Sequence, residues 1–229
     1  MTHRLFVTFT RSLFAALALG AAATAAQAQT AGTLLGRLGA AQLKPEVSSG
    51  NLSAPSFAGS QVDLKADTQP TGGLTYMVNN SVAIDVPLSL GFKHDIVGAG
   101  TLAGAGRLGE VKALPVTLLV QYRFFDATSS FRPYVGAGPT YAKFYKARST
   151  AALNGITGGS PANPTTLSVD SKFSLSVQAG VSYMFTPRLF VDATVVKTPL
   201  KTRATLSTGQ TVDVKLDPLT TAVALGYKF

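Results

Sequence analysis

The stretch FSLSVQAGVSYMF, residues 173–185, decides the fold of this chain because its side chains alternate strictly over 13 residues. Its odd positions hold Phe, Leu, Val, Ala and Tyr, whereas its even positions hold Ser, Gln, Gly and Met. Such alternation is typical of a β-strand with one apolar face and one small or polar face. Ordinary strands average about 5–6 residues, whereas a strand that crosses a bilayer needs about 9–11. The length therefore indicates a membrane-spanning strand.

Seven further segments show the same period of two, although Gly and Ala dilute it in the first, second and fifth. In chain order they are Leu34–Leu43, Thr71–Val78, Val82–Phe92, Val116–Phe124, Arg132–Phe144, Leu189–Val195 and Leu219–Phe229. Single-chain bacterial barrels have an even number of strands. The total of eight therefore predicts an all-β fold, an eight-stranded antiparallel transmembrane β-barrel.

The connections between these segments alternate in length. Tight turns are predicted at Asn79-Asn80, Asp126–Ser130 and Thr186-Pro187. Longer loops are predicted at Pro45–Gln69, His94–Val111 and Arg148–Asp170, with a shorter one at Ser207–Gln210. Short periplasmic turns opposite longer extracellular loops are usual in outer-membrane barrels. An exported β-sandwich is the soluble alternative, but its outward face would be charged, whereas the second face here is small and sparsely charged.

Residues 1–28 have the features of a cleaved secretory signal peptide. Arg4 and Arg11 supply the positive start before an apolar run from Leu13 to Ala26, and Ala26-Gln27-Ala28 fits the small-residue cleavage pattern. The run is shorter than the roughly 20 apolar residues of a spanning helix. We therefore expect an exported protein with a signal peptide over residues 1–28 and one barrel domain over residues 29–229.

The composition excludes several kinds of site. The 229 residues include no Cys, no Trp and only two His, so a disulfide scaffold, a Cys nucleophile and a multi-His zinc site are ruled out. We expect no cofactor and no metal. The net charge of +9 invites comparison with nucleic-acid-binding proteins, but only 14% of the residues are charged and 46% are hydrophobic. Nucleic acid is therefore not an expected partner.

The segment FRPYVGAG, residues 131–138, is the most distinctive of several short motifs along the chain. The others are Lys44-Pro45, Phe92-Lys93-His94, Leu114-Pro115, Gln121–Phe124, Leu216–Pro218 and Gly226–Phe229. In this order the set resembles the OmpW family of small outer-membrane β-barrel proteins. The resemblance implies the outer membrane of a Gram-negative bacterium, a narrow hydrophobic lumen, and porin-like passive passage of small hydrophobic molecules with sideways release into the bilayer. Because the chain lacks Trp, a tryptophan constriction of the lumen is not carried over.

Ionisable residues on the predicted inward faces should line the lumen, because charges are costly against lipid. They are Arg37, Asp85, Arg123, Arg132 and Asp192. Two interpretations stay open: a polar plug that diverts apolar cargo sideways, or the packed core of a barrel just wide enough to be filled by side chains. Apolar contacts for the cargo are expected from Met77, Leu119, Met184 and Phe190.

Pro139 interrupts the fifth predicted strand, and proline within a strand usually marks an edge or a bulge. A closed barrel has no edge, so a bulge or a local opening is expected near Pro139. If the opening lies in the membrane part of the wall, it is a candidate lateral exit.

Basic residues concentrate at the predicted outer ends of the strands. Seven would ring the rim at headgroup height: Lys93, Lys112, Lys143, Lys146, Lys172, Lys197 and Lys201. Lys pairs with phosphate as a point charge, so one hypothesis is a collar that binds lipopolysaccharide. Generic snorkelling of Lys at a membrane interface is the alternative.

The last strand ends in aromatic residues that form a C-terminal barrel signature, Tyr227 and Phe229. We expect this strand to contact the barrel-assembly machinery through Phe229. Outer-membrane lipid and small hydrophobic solutes are the other expected partners.

Two other possibilities carry less weight than passage of apolar molecules. A lipid-A-modifying enzyme is suggested by His94 beside Asp95, but no Ser stands out as a neighbour, so a solvated loop His and no enzymatic activity are expected. A structural, adhesion or receptor barrel would need aromatic anchors in its loops, and Phe57 is the main candidate. Gly104–Gly109 matches G-x-G-x-x-G but precedes a predicted strand rather than a helix, so it is expected to be a flexible loop.

Overall fold

Strands account for most of the residues that the computed structural model describes, which are 29–56 and 58–229. In chain order they are β1 (Leu34–Lys44), β2 (Ser48–Ser49), β3 (Ser60–Leu64), β4 (Asp67–Met77), β5 (Val82–Ser89), β6 (Phe92–Gly100), β7 (Arg107–Thr117), β8 (Leu119–Arg123), β9 (Phe131–Ser149), β10 (Leu167–Val169), β11 (Lys172–Met184), β12 (Leu189–Lys197), β13 (Lys201–Leu206), β14 (Thr211–Lys215) and β15 (Leu219–Lys228). A short helix, α1 (Ala151–Thr157), follows β9. No helix in these ranges is long and apolar enough to cross a bilayer. The predicted signal peptide and Phe57 lie outside the described residues.

Antiparallel pairing closes a barrel around the lumen. β1 pairs with β15 on one side and with β4 on the other. The order then continues through β5, β8, β9, β11 and β12 back to β15. β7 and β8 together form the fourth barrel strand and are interrupted at Leu118. The predicted eight-stranded antiparallel barrel is therefore confirmed.

The alternation along β11 separates the lipid from the lumen. Phe173 and Leu175 point outward and are 78% and 63% exposed, whereas Ser176 and Ser182 are buried inside. The outward apolar band includes Leu90 and Val116 at its upper end. Lys residues at the outer ends of the strands, such as Lys93 and Lys143, lie beyond this band, which we take as the membrane-spanning part.

The outer segments form a second layer above the membrane rather than flexible loops. The predicted Gly/Ala loop at His94–Val111 is wrong, because β6 and β7 form a hairpin there, with a 3-10 turn over Ala103–Ala105. β10, β13, β14 and β2 form a separate four-stranded sheet. Buried apolar side chains hold the layer together, including Leu102, Leu108, Leu153, Leu206, Leu200, Val212, Val214 and Leu216.

Candidate functional site

A polar cluster fills the periplasmic half of the lumen, and its centre is the ion pair of Arg37 and Asp85. Two guanidinium nitrogens of Arg37 donate to the two carboxylate oxygens of Asp85 at 2.7 and 2.9 Å. The Thr75 hydroxyl donates to Asp85 at 2.6 Å. Gly73 leaves room for the guanidinium, because a Cβ there would lie 2.7 Å from Arg37 Cζ. The pair is buried and bidentate, a geometry that favours retention of both charges.

The cluster extends across the lumen to Asp192 and Arg123. The Tyr134 hydroxyl lies 3.0 Å from both Asp192 carboxylate oxygens, and Arg37 Nε lies 3.9 Å from one of them. The Arg123 guanidinium stacks over the Tyr134 ring, 4.7 Å from its centroid. It also donates to the side chains of Gln29, Gln121 and Ser182. Two Arg and two Asp thus balance one another in a packed, hydrogen-bonded layer.

Arg132 is buried, but it serves the periplasmic turns rather than this cluster. Its guanidinium donates to main-chain carbonyls, at 2.6 Å to Asn80, 3.2 Å to Gln29 and 3.3 Å to Phe124. One side chain thereby ties the N-terminal segment to two turns. The structure therefore brings four of the five predicted lumen charges together and places the fifth beneath them.

The four apolar residues expected to contact cargo point inward, but none of them is among the lining residues of the three cavities described below. Met77, Leu119, Met184 and Phe190 are at most 1% exposed. Phe190 and Met184 pack with Leu35 near the periplasmic turns, and Leu119 stands opposite Asp85 in the ladder. They form part of the filled lower half, so their expected role as cargo contacts is not supported by their position.

Three cavities that share lining residues lie above the polar cluster within the described part of the chain. The upper one, about 70 Å³, lies in the outer layer between aliphatic side chains such as Leu102, Val212 and Val214. The middle one, about 40 Å³, shares Leu64 and Phe144 with it. The lower one, about 70 Å³, shares Pro115, Thr198 and Thr220 with the middle one, and Arg37, Gln178 and Asp192 line it as well. The lining thus changes from aliphatic outside to charged at the base.

The barrel wall beside the lower cavity lacks backbone pairing. β5 pairs with β8 from Val82 to Asp85, and pairing with β7 resumes only where Phe92 of β6 meets Ala113. Among the described residues, no ladder pair joins residues 86–91 to residues 114–118. Pro87 and Pro115 lie in these two segments and line the cavity, and each removes one N–H donor from its strand. The sequence therefore contained an indication of the unpaired wall, because a proline occurs in each of two neighbouring strands.

The wall is closed at Pro139, so the expected bulge or opening there is wrong. Pro139 pairs with Leu175 of β11, and its carbonyl accepts a hydrogen bond from the Leu118 N–H at 3.1 Å. The register is continuous past it, since Thr117 pairs with Thr140 and Val120 with Ala137. The proline fits because its carbonyl, rather than an N–H, completes the contact with the fourth strand.

His94 is a buried strand residue rather than the solvated loop residue that the sequence suggests. It lies in β6 above the membrane band and is 1% exposed. Its Nδ1 is 2.8 Å from the carbonyl oxygen of Lys65, and the ring lines the middle cavity. Burial lowers the pKa of His94, so the ring is neutral at pH 7. Among the described residues, no group of three or more acidic or His side chains is arranged to hold a metal.

The seven rim lysines divide into two groups. Lys93 pairs with Glu110 at 2.9 Å, Lys172 pairs with Asp170 at 3.2 Å, and Lys197 pairs with Glu46. A hydrogen bond from Lys93 holds the pKa of Glu110 below its usual value. The remaining lysines, which have no ion pair within the described ranges, are Lys112, Lys143, Lys146 and Lys201.

The C-terminal aromatic residues lie on the outside of the closed barrel. The rings of Tyr227 and Phe229 meet edge to face with centroids 5.0 Å apart, and Phe229 is 73% exposed. The Phe229 N–H donates to the Leu34 carbonyl at 3.0 Å. The last residue thus completes the seam between β15 and β1.

Comparison with known proteins identifies the architecture. The model of the OmpW family matches residues 30–229. Outer membrane protein W of Vibrio cholerae is 33% identical over 204 residues, 86% of this chain and 89% of that protein. Dibenzothiophene metabolism operon protein PahQ of Pseudomonas aeruginosa is 28% identical, covering 72% of this chain and 74% of that protein. The crystal structure of OprG from Pseudomonas aeruginosa superposes with a TM-score of 0.80 at 26% identity, covering 90% of this chain and 99% of that one.

Proposed function

The chain belongs to the OmpW family, and we propose that this outer-membrane barrel lets small apolar molecules cross passively and releases them sideways into the bilayer. The molecule enters through the outer layer, occupies the three cavities in turn and leaves the lumen above the polar cluster. The passage involves no chemical step, so the proposed role is that of a non-enzymatic channel.

The observation that carries this proposal is the position of the unpaired wall relative to the polar cluster. An apolar molecule in the lower cavity faces Arg37 and Asp192 below it, and passage downward would break the buried ion pairs of Arg37 with Asp85 and Asp192. Sideways, it faces the segments around Pro87 and Pro115, whose outward neighbours Leu88 and Val116 are exposed to lipid. The sideways route is the one of lower polarity.

The outer surface offers a place for the released molecule. A shallow lipid-facing groove runs over β15, β1, β4 and β5. Its lining includes Leu38, Leu74, Leu88 and Leu90, and it shares Ser89 with the lower cavity. An apolar cargo also fits the name of the relative PahQ, which refers to the metabolism of dibenzothiophene, an apolar aromatic compound.

A cross-link across the unpaired wall tests this proposal. If the register of Asp85 and Leu119 continued upward, Leu88 would face Val116. The chain has no Cys, so L88C/V116C introduces one pair that a disulfide or a short bismaleimide can join. We expect the cross-link to reduce uptake of n-octane to the level of cells without the protein, and a reductant to restore it in the disulfide case.

The matched control is Y183C/V191C, which joins two outward residues that already pair across β11 and β12. Its cross-link should leave octane uptake unchanged. Equal uptake with the L88C/V116C cross-link open or closed would reject the lateral exit. Equal uptake with and without the protein would reject passage altogether and favour a structural or adhesion barrel.

We also propose that the unpaired rim lysines bind lipopolysaccharide phosphates. Lys112 pairs with Tyr145 in the ladder and Lys143 with Leu114, so with Lys146 these three lie on β7 and β9 at one side of the barrel. K112Q/K143Q/K146Q should reduce the lipopolysaccharide that copurifies with the barrel, whereas K93Q/K172Q/K197Q, in which each Lys already has an acidic partner, should change it less. Equal retention in both variants would favour simple snorkelling.

A further inference from the structure

Two buried side-chain atoms beside the cavities have no hydrogen-bond partner among the described residues, Nε2 of His94 and Nε2 of Gln178. His94 lines the middle cavity and Gln178 lines the lower one. Both residues are buried, since His94 is 1% exposed and Gln178 is 4% exposed. The large majority of buried side-chain polar atoms in proteins find a partner, either in the protein or in ordered water. Two exceptions along one path therefore point to a molecule that supplies the partners.

The hydrogen bond of Nδ1 fixes what His94 offers to the cavity. Lys65 contributes a carbonyl oxygen, which only accepts, so Nδ1 carries the proton and donates to it at 2.8 Å. In the neutral ring the other nitrogen then carries a lone pair. Nε2 of His94 is consequently an acceptor, and it requires a donor from its ligand.

Arg123 fixes the orientation of Gln178 through Gln121. Arg123 has only donors, and two of its nitrogens contact Oε1 of Gln121 at 3.0 and 3.2 Å. The Gln121 amide nitrogen therefore points the other way and donates to Oε1 of Gln178 at 2.8 Å. This leaves the Gln178 NH₂ as the unpartnered end. It is a donor and requires an acceptor from its ligand.

From these two atoms we infer that the preferred cargo is a neutral alcohol, with one hydroxyl on an aliphatic or aromatic body. In the middle cavity the hydroxyl donates to His94 Nε2, and in the lower cavity its oxygen accepts from the Gln178 NH₂. The apolar body contacts the aliphatic lining, for example Leu43, Leu64 and Leu216. The inference deepens the proposed passage of apolar molecules and rests on it.

A hydroxyl is a small neutral group that satisfies both atoms, because it donates and accepts. An alkane leaves both atoms unpartnered. An ether or a ketone accepts from Gln178 but gives His94 no donor. A carboxylate also has no donor for His94, and it would meet the negative charge of Asp192 in the lower cavity.

Nitrogen NMR of His94 tests the inference directly. The sequence holds two His, His3 and His94, so the protein labelled with ¹⁵N-histidine in lipid nanodiscs gives few signals, and H94F assigns those of His94. We expect 1-octanol to move the Nε2 resonance upfield, as hydrogen bonding to an unprotonated imidazole nitrogen does. n-Octane and octyl methyl ether, which lack the donor, should leave it in place.

Calorimetric titrations of the same probes into the protein in nanodiscs do not depend on the His94 signal, so they can compare variants and separate a lost contact from a folding defect. H94F should reduce the preference for 1-octanol over octyl methyl ether about five- to tenfold, the effect of one hydrogen bond. H94Q, which retains a polar end at similar reach, should recover part of it. Q178M should weaken binding of both probes that carry an oxygen, relative to octane.

The outcomes keep this inference separate from the proposed function. An Nε2 resonance that responds equally to octanol, ether and octane, or to none of them, overturns the preference for alcohols while octane uptake by cells still supports passage. A shift of the Nε2 resonance with octanol alone supports the alcohol site. If cells then show no uptake of octane or octanol, the proposed passage is rejected while the alcohol site stands.

Discussion

The lower and upper halves of the lumen are built by the same eight strands, yet one is filled and the other is hollow. In the lower half Arg37, Asp85, Arg123 and Asp192 have hydrogen-bond or ion-pair partners, and β5 pairs with β8. In the upper half the pairing of β5 with its neighbour stops, cavities replace side chains, and His94 Nε2 lacks a partner among the described residues.

The difference shows how an eight-stranded barrel can be closed in the lower half of its lumen and form a channel in the upper half. Its lumen is only just wide enough to be filled by side chains, so large side chains such as Arg123, Tyr134 and Phe190 fill the base completely. Small ones such as Ala41, Thr117 and Ala222 leave space above. Side-chain volume along each strand, rather than strand number, therefore sets where the channel ends.

Breaking the buried ion pair of the lower half should have the largest effect. Asp85→Ala removes the bidentate partner of Arg37 and leaves two Arg against one Asp in the cluster. Loss of one partner of a buried pair costs about 3–5 kcal/mol. We expect the free energy of unfolding in urea, measured in lipid vesicles, to fall by this amount. The double variant R37M/D85M should recover most of it, because it removes both charges. A loss below about 1 kcal/mol, the size of an exposed pair, would contradict the description of this layer as a closed core.

The strands and the inward position of the charged residues can be predicted from the sequence, whereas the position of the cavities cannot. Alternation in Phe173–Phe185 and in the last strand predicts the barrel, and the cost of a charge in lipid predicts that Arg37, Asp85, Arg123 and Asp192 face inward. Their mutual contacts depend on register, which brings Arg37 opposite Gly73 and Asp85 opposite Thr75. Alternation alone does not specify these pairs.

The ordered strands of the outer layer were not predicted from the sequence, because the glycines in these segments suggest flexible loops. Gly98 instead permits a close approach, since a Cβ there would overlap the Leu102 carbonyl oxygen. The short alternation Thr211–Leu216 was a usable signal for ordered strands above the membrane, because Val212, Val214 and Leu216 are all buried. The same layer buries His94, which sequence alone suggested to be solvated.

The closed wall around Pro139 should resist added volume. A Cβ on Gly138 would overlap the carbonyl oxygen of Leu118, so Gly138→Ala must push two paired strands apart. We expect a loss of about 1–3 kcal/mol in the free energy of unfolding, typical of overpacking. Gly104→Ala is the control, because a Cβ there would meet no atom within 4 Å. Equal stability of the two variants would mean that the wall near Pro139 is looser than its pairing indicates.

Restoring N–H donors to the unpaired wall at Pro87 and Pro115 should allow its strands to pair, as the strands around Pro139 do. Pro87→Thr/Pro115→Thr returns a donor to each strand, and we expect increased amide protection over residues 86–91 and 114–118. If one new hydrogen bond forms, octane uptake should fall about five- to tenfold. Pro139→Thr, in a stretch that is already paired, should leave uptake unchanged. A fall in uptake for Pro139→Thr but not for the double variant would place the exit at Pro139 after all.

Mild acid should loosen the upper half before the lower half, and this is the smallest effect we expect. Burial lowers the pKa of His94 in the folded state, and the charge of Asp67 opposes this only in part. The unfolded chain therefore binds a proton more readily, so stability is complete above the unfolded pKa of about 6.5 and is lost as pH falls below it. Carboxylates with lowered pKa values, such as Glu110 and Asp217, contribute only at lower pH. Between pH 7 and 5, exchange corrected for its intrinsic rate should increase in β6 and β7 but not in the lower part of β11, and H94F should abolish the difference. A uniform increase along all strands would mean that the two halves open together.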